Sequence, residues 1–182
     1  MALYSDDGRL LEYEHAIYES AEELEIGCVK LMAEWEAKYQ AQNDGKSYHI
    51  THVAVEGADV LLRTLWRRIT EEILHCQMLI VKPDEWRADL LLAKEKASGE
   101  AAKEASRLIA RQLLADYGGL LHDGKLKTDV AEAILLGYHV SRRLEWIPRK
   151  EPCIRRFSNG GVVVPKTIDR PSPTIAEPVA LV

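Results

Sequence analysis

The period of apolar and polar positions switches several times along the chain, and each switch marks an element. Leu3-Tyr4 and Leu10 to Tyr13 flank Ser5-Asp6-Asp7-Gly8-Arg9, and Asp-Gly between two short apolar runs is a hairpin signal. The expected order is strand, turn, strand, with a further strand over His15 to Tyr18. From Ala21 to Gln42, Leu24, Cys28, Leu31, Met32, Trp35 and Tyr39 return at helical spacing. Asn43-Asp44-Gly45-Lys46 ends that helix. Ile50 to Val55 is a short β-branched run that reads as a buried strand, and it stops at Glu56-Gly57. Val60 to His75 reads as a helix with Arg63, Arg67 and Arg68 on its polar face. Met78 to Val81 reads as a second buried strand, stopped by Pro83.

Gly99 to Tyr117 is a strong helical pattern, with Ala102, Ala105, Ile109 and Leu113 on one face and Gly118-Gly119 closing it. His122 to Lys127 is a polar, basic loop. Thr128 is placed to cap a last helix, Asp129 to Trp146, whose first turn carries Asp129 and Glu132, where negative charge is favourable. From Pro148 onward the helical period stops, and six of the seven prolines fall there. The segment 148–182 therefore reads as a Pro-rich, disordered tail behind a single domain over 1–147. Strands first, then strand and helix in alternation, predict an α/β domain with a mixed sheet.

Composition adds boundaries. A chain of 182 residues can bury a core, and 47% apolar with 29% charged residues is ordinary for a globular protein. No apolar run is long enough to span a bilayer. Cys28, Cys76 and Cys153 form no CxxC pair and leave one odd thiol, which fits a reducing compartment better than a disulfide framework or a zinc site. A net charge of -5 and a pI near 5.7 argue against a protein that coats DNA generically. They leave room for a nuclease, whose carboxylates lower the net charge while a local basic face meets phosphate.

The candidate chemistry is carboxylate chemistry. Phosphodiester hydrolysis by two metals needs several carboxylates converging on ions about 3.5–4 Å apart, and hard oxygen ligands suit Mg²⁺. Glu56 directly follows Val53-Ala54-Val55, so it stands at the carboxyl edge of a buried strand, where open α/β sheets bind ligands. Taken alone it is equally a glutamate at a loop start. Asp129 and Glu132 are three apart and share a face of a largely apolar helix. Spacing leaves two readings open for them, a ligand pair and a complement to the helix dipole. Lys103, Arg107 and Arg111 step by four along one helix, either as a phosphate-binding stripe or as a solvated face paired with Glu100 and Glu104. The histidines show no HExxH-like spacing and read as structural or surface residues.

These pieces resemble, in order, the RuvC-type Holliday-junction resolvases, including the chloroplast and phage branches. His52-Val53-Ala54-Val55-Glu56 resembles the strand carrying that family's second acidic residue. Val81-Lys82-Pro83-Asp84-Glu85-Trp86-Arg87 resembles a Pro-x-x-Trp-basic motif. Lys103-Glu104-Ala105-Ser106-Arg107 resembles a Lys-x-x-Ser-Arg helix that contacts phosphate. Lys127-Thr128-Asp129-Val130-Ala131-Glu132-Ala133 resembles the acidic C-terminal helix. The resemblance covers about the first four-fifths of the chain and rests on element order.

The resemblance implies a ribonuclease H-like fold with helices on both faces of a mixed sheet, and a homodimer that nicks four-way DNA junctions. It implies Glu56, Asp129 and Glu132 as ligands of two Mg²⁺ or Mn²⁺ ions, and Lys103 at the scissile phosphate. Arg107, Arg87 and Lys127 become further DNA contacts. Two departures stand out. Gly57 follows Glu56 where many relatives have glutamine. The family's first strand, ending in Asp-Pro-Gly, has no counterpart here. The N-terminus is therefore expected to be incomplete, a central strand to be missing beside Leu3-Tyr4 and Val53 to Val55, and the chain as given to be inactive. The alternative is a non-catalytic junction or nucleic-acid binding module of the same fold.

Overall fold

The computed structural model describes residues 1–42, 48–57, 59–118 and 126–147, with backbone alone for 117–118, 157–158, 161–162 and 178–181. In chain order the elements are β1 (Ala2–Ser5), β2 (Leu10–Tyr13), α1 (Ala21–Gln42), β3 (His52–Glu56), α2 (Val60–Arg67), β4 (Gln77–Val81), α3 (Pro83–Leu90), α4 (Gly99–Leu113), α5 (Thr128–Arg143), β5 (Phe157–Ser158), β6 (Gly161–Val162) and β7 (Pro178–Leu181). α2 runs on as a π-helical segment, Arg68–Ile73, and α4 as another, Leu114–Gly118. The domain is a mixed α/β structure. Its main sheet has the order β2-β1-β7-β3-β4, and β5 and β6 form a separate two-stranded sheet.

The strands obey a period of two. Ala2, Tyr4 and Ala54 face one way, into a core shared with Trp86, Leu90 and the helices α4 and α5. Leu3, Val53 and Val55 face the other way, against Cys28, Met32 and Trp35 of α1, Trp66 of α2 and Ile69 just beyond it. The sheet is thus covered on both faces. Each side chain of this size, fully buried, contributes roughly 1.5–3 kcal/mol before conformational entropy is charged against it.

Local chemistry sets the boundaries. In the β1–β2 hairpin Gly8 has φ 77°, a conformation that costs glycine nothing, and a Cβ there would fall 2.0 Å from Ile147. Asp7, beside it, accepts from the Arg9 guanidinium at 3.0 Å, so the hairpin aspartates are turn residues, as expected. Ser20 caps α1 by accepting from the Glu23 N–H at 3.1 Å, and the Glu23 carboxylate in turn accepts from the Glu19 N–H. Asp59 caps α2 through the N–H groups of Leu61 and Leu62.

Four expectations change. His15 to Tyr18 is not a strand; Tyr18 instead packs on Gly27 of α1, where a Cβ would meet its ring at 2.2 Å. β4 is an edge strand rather than a buried one, and Ile80 is exposed. Thr128 is the first residue of α5 rather than its cap, and the helix ends at Arg143. Four residues of the segment read as tail, Pro178–Leu181, lie inside the main sheet. β7 runs antiparallel to β1 and parallel to β3, in the place where sequence reasoning expects a strand ahead of Met1. The expected turn at Asn43 to Lys46, most of the His122 to Lys127 loop and Cys153 lie outside the described residues. Among the described residues no helix is long and apolar enough to cross a membrane.

Candidate acidic centre

Glu56 ends β3, whose five residues pair in parallel with β4 from His52↔Gln77 to Glu56↔Val81. The chain leaves the strand at Gly57 with φ 129°, a conformation that residues with side chains avoid. Immediately after β4, Pro83 occupies the first turn of α3, where its missing N–H costs no helical hydrogen bond. That turn carries Trp86 and Arg87 back over the end of β3. Trp86 is fully buried, and its indole N–H donates to Glu56 Oε1 at 2.7 Å. A buried indole N–H needs a partner, and Glu56 supplies it.

α5 approaches from the same face. Its inner side is almost wholly buried, and the Tyr4 hydroxyl donates to the Ile134 carbonyl at 2.7 Å, fixing the helix over β1. Glu132 sits at the edge of that contact. The Arg87 guanidinium lies between the two glutamates: Nη2 donates to Glu132 Oε1 at 3.0 Å and stands 4.0 Å from Glu56 Oε1. Its Cζ lies 5.0 Å from the centre of the Trp86 ring. Arg87 Nε is buried and has no hydrogen-bond partner among the described residues.

The electrostatics agree with this geometry. Burial pushes the Glu132 carboxyl above its ordinary value, and the neighbouring Glu56 charge pushes it the same way. Arg87 opposes both, by charge and by hydrogen bond, and Asp129 adds a weaker upward push. Glu56 and Glu132 are therefore coupled like charges held together by one cation. A perturbed acid coupled to a neighbour at a strand edge is a functional-site candidate on physical grounds.

The other expected site residues are placed differently. Asp129 is 84% exposed, and its carboxylate lies 3.9 Å from His15 Nε2. Lys127 Nζ is 3.2 Å from the other ring nitrogen of His15. Arg107 is ion-paired with Glu104, and Lys103 is exposed on α4, which packs against α5. Among the described residues no hydrogen bond or ion pair links Lys103 or Arg107 to the two glutamates. Arg87, expected to contact DNA, is ion-paired with Glu132, and 30% of its side chain is exposed.

Sequence reasoning gave Trp86 no site role, since tryptophan at a helix start is commonly just packed. It also passed over His15, which has no spacing signal. A second polar cluster went unnoticed: Asp89 on α3 accepts from Arg142 at 3.0 Å and lies 2.9 Å from His139 Nδ1.

The donor set can be tested against a metal. Carboxylate oxygens suit Mg²⁺ or Mn²⁺, but both converging glutamates share the guanidinium of Arg87. Among the described residues no group of three or more metal-capable side chains comes together. Glu56 and Glu132 supply two carboxylates where a two-ion centre draws on several.

No protein-family model matches the chain, and neither a curated protein nor a solved structure matches it.

Proposed function

We propose that this chain is a ribonuclease H-like domain of the RuvC-resolvase kind, a structure-selective endonuclease directed at four-way DNA junctions, with Glu56 and Glu132 as its acidic centre. The observation that carries the reading is the meeting of Glu56 and Glu132. A strand-end glutamate and a helical glutamate far away in sequence come onto one guanidinium, as the resemblance requires of two ligands of one site. A sheet covered by helices on both faces, with a strand antiparallel to β1 and parallel to β3, supports the same fold.

In this reading Trp86 and Arg87 are positioning residues. The indole aims Glu56, and the guanidinium offsets the charge of the pair. Mg²⁺ or Mn²⁺ would supply water activation and leaving-group stabilisation. With two converging carboxylates, no step through such ions follows from the described residues. Lys103, Arg107 and Lys127 are the cations offered to phosphate. A homodimer would match the two-fold symmetry of a four-way junction.

The test is a binding and nicking assay on a synthetic four-way junction and on linear duplex of the same sequence. The chain is expected to prefer the junction and to lose affinity steeply as salt rises. Metal-dependent nicking of the junction that Glu132→Gln abolishes would mark the acidic centre as catalytic. Equal affinity for junction and linear duplex would refute the junction reading. A second reading, a non-catalytic junction-binding module, is favoured by Arg87, which already offsets part of the charge of the acidic pair. It is separated from the first by selective binding with no nicking in Mg²⁺ or Mn²⁺.

A further inference from the structure

The main sheet is continuous because β7 lies between β1 and β3. Its register is uneven. Against β1 it pairs over four residues, from Ala2↔Leu181 to Ser5↔Pro178. Against β3 it pairs over two, Val53↔Ala180 and Ala54↔Leu181. β7 begins with Pro178, which has no N–H to give a ladder, a residue tolerated at the first position of a strand and not in the interior of a central one. The chain between α5 and β7 carries five further prolines, Pro148, Pro152, Pro165, Pro171 and Pro173. It is connected to the rest of the sheet by no tight turn, since β7 follows β3 and β1 by more than a hundred residues.

The walls of the position β7 fills are built as interior strands. Ala2, Leu3, Tyr4 and Ser5 of β1, and Val53 and Ala54 of β3, are each at most 1% exposed. Buried backbone N–H and C=O groups must be paired, so this position cannot stand empty without cost. It can change occupant. An extended segment of either source satisfies the same two rows of backbone groups, because the bonds that hold it are main-chain bonds.

We propose that the space between β1 and β3 is a strand-binding site, filled by the chain's own Pro178–Leu181 as an exchangeable occupant. It takes an extended peptide that runs parallel to β3 and antiparallel to β1. The segment fills it from within the same molecule, and a peptide in trans replaces it when the segment is disabled. This stands on sheet pairing alone and is independent of any nuclease activity.

The test uses the full chain carrying Ala180→Pro and a fluorescein-labelled peptide of residues 174–182. Ala180 is in register with Leu3 of β1 and Val53 of β3, so proline there breaks a ladder and cannot be accommodated centrally. Amides of Ala2, Tyr4 and Ala54, which alternate along their strands towards β7, should exchange at least tenfold faster in the variant. The peptide should bind the variant saturably by anisotropy, at least tenfold more tightly than it binds the unaltered chain, and restore slow exchange. A peptide carrying Ala180→Pro should not bind. Unchanged exchange in the variant, or equal binding of both peptides, would overturn the proposal. A second arm does not depend on the variant folding. Ala2→Cys with Leu181→Cys places two thiols on directly paired residues, within disulfide reach. Oxidation of the dilute full chain should close that bond within one molecule, mapped by mass spectrometry against the native cysteines. A bond formed between two molecules, or none, would overturn it.

Discussion

Replacing Arg87 by methionine keeps much of the side chain's length and its contact with Trp86, and removes the charge between Glu56 and Glu132. The guanidinium lies 3.0 Å from one carboxylate and 4.0 Å from the other. Unit charges 4 Å apart at an effective dielectric near 20 attract by about 4 kcal/mol before desolvation is counted. The arginine is 30% exposed and Glu132 16%, so the pair falls between two limits. Exposed pairs contribute about 0–1 kcal/mol, and breaking a buried pair costs about 3–5 kcal/mol. A loss of about 2 kcal/mol at pH 7.5 follows, with roughly 0.5 kcal/mol more from the lost cation–π contact.

The dependence on pH has a definite sign. Burial and the Glu56 charge already hold the Glu132 carboxyl above its ordinary 4.5, and losing Arg87 raises it further. A carboxyl with a raised folded pKa binds protons better in the folded state. Its penalty is full above the folded pKa and vanishes below the unfolded one. The deficit of Arg87→Met is therefore largest at pH 7.5 and shrinks as the pH falls towards 4.5. Urea unfolding followed by circular dichroism at pH 7.5 and 5.5 measures it. Glu132→Gln placed on top of Arg87→Met should recover about 1 kcal/mol at pH 7.5, since it removes the uncompensated charge. Strict additivity of the two substitutions, or an Arg87→Met stability within ~0.5 kcal/mol of the unaltered chain at both pH values, would show that the cluster is a solvated coincidence.

Lys103→Ala should change unfolding free energy by less than about 0.5 kcal/mol, because the lysine is exposed, while weakening junction binding in a gel-shift titration and lowering its salt slope by about one. Gly8→Ala should lower stability by about 2 kcal/mol in the same urea assay, since a side chain at φ 77° is strained and its Cβ would overlap Ile147. Cys76, whose thiol burial pushes up to about 11, should be alkylated by iodoacetamide at pH 8 far more slowly than free cysteine, the thiolate being the reactive form.

The parts of the fold that were legible in sequence are those where one local rule acts alone. Asp-Gly between apolar pairs gave the β1–β2 hairpin, and four buried residues at helical spacing, Cys28, Met32, Trp35 and Tyr39, gave α1. The run Val53-Ala54-Val55 gave β3, and its abrupt end at Glu56 gave half of the acidic centre. β4 misled because an apolar run does not reveal whether a strand lies inside a sheet or at its edge, and Ile80 on that edge is exposed. The ion pair of Arg87 was hidden for a related reason: its partner Glu132 lies on a helix far away in sequence. β7 was invisible because Pro-Val-Ala-Leu is too short and too ordinary to signal a strand. Its position depends on two rows of backbone groups far away in sequence.

The strand site and the acidic centre share β3, yet the pairing makes them separable. β7 reaches β3 through Val53 and Ala54 and stops short of Glu56 in the register. β4 pairs with β3 through Glu56 itself, and Trp86 on the helix that follows β4 holds the Glu56 carboxylate at 2.7 Å. Disabling β7 with Ala180→Pro should therefore loosen β1 while leaving the Trp86–Glu56 hydrogen bond in place. The readout is the exchange rate of the Trp86 indole N–H by ¹⁵N NMR, assigned through Trp86→Phe among the four tryptophans. It should stay within about threefold of its value in the unaltered chain while the Ala2 and Tyr4 amides speed up at least tenfold, as local opening of one unit without the other requires. If the indole and the β1 amides accelerate together, β1, β7 and β3 open as one cooperative unit, and the anchoring of Glu56 by β4 and Trp86 alone is wrong.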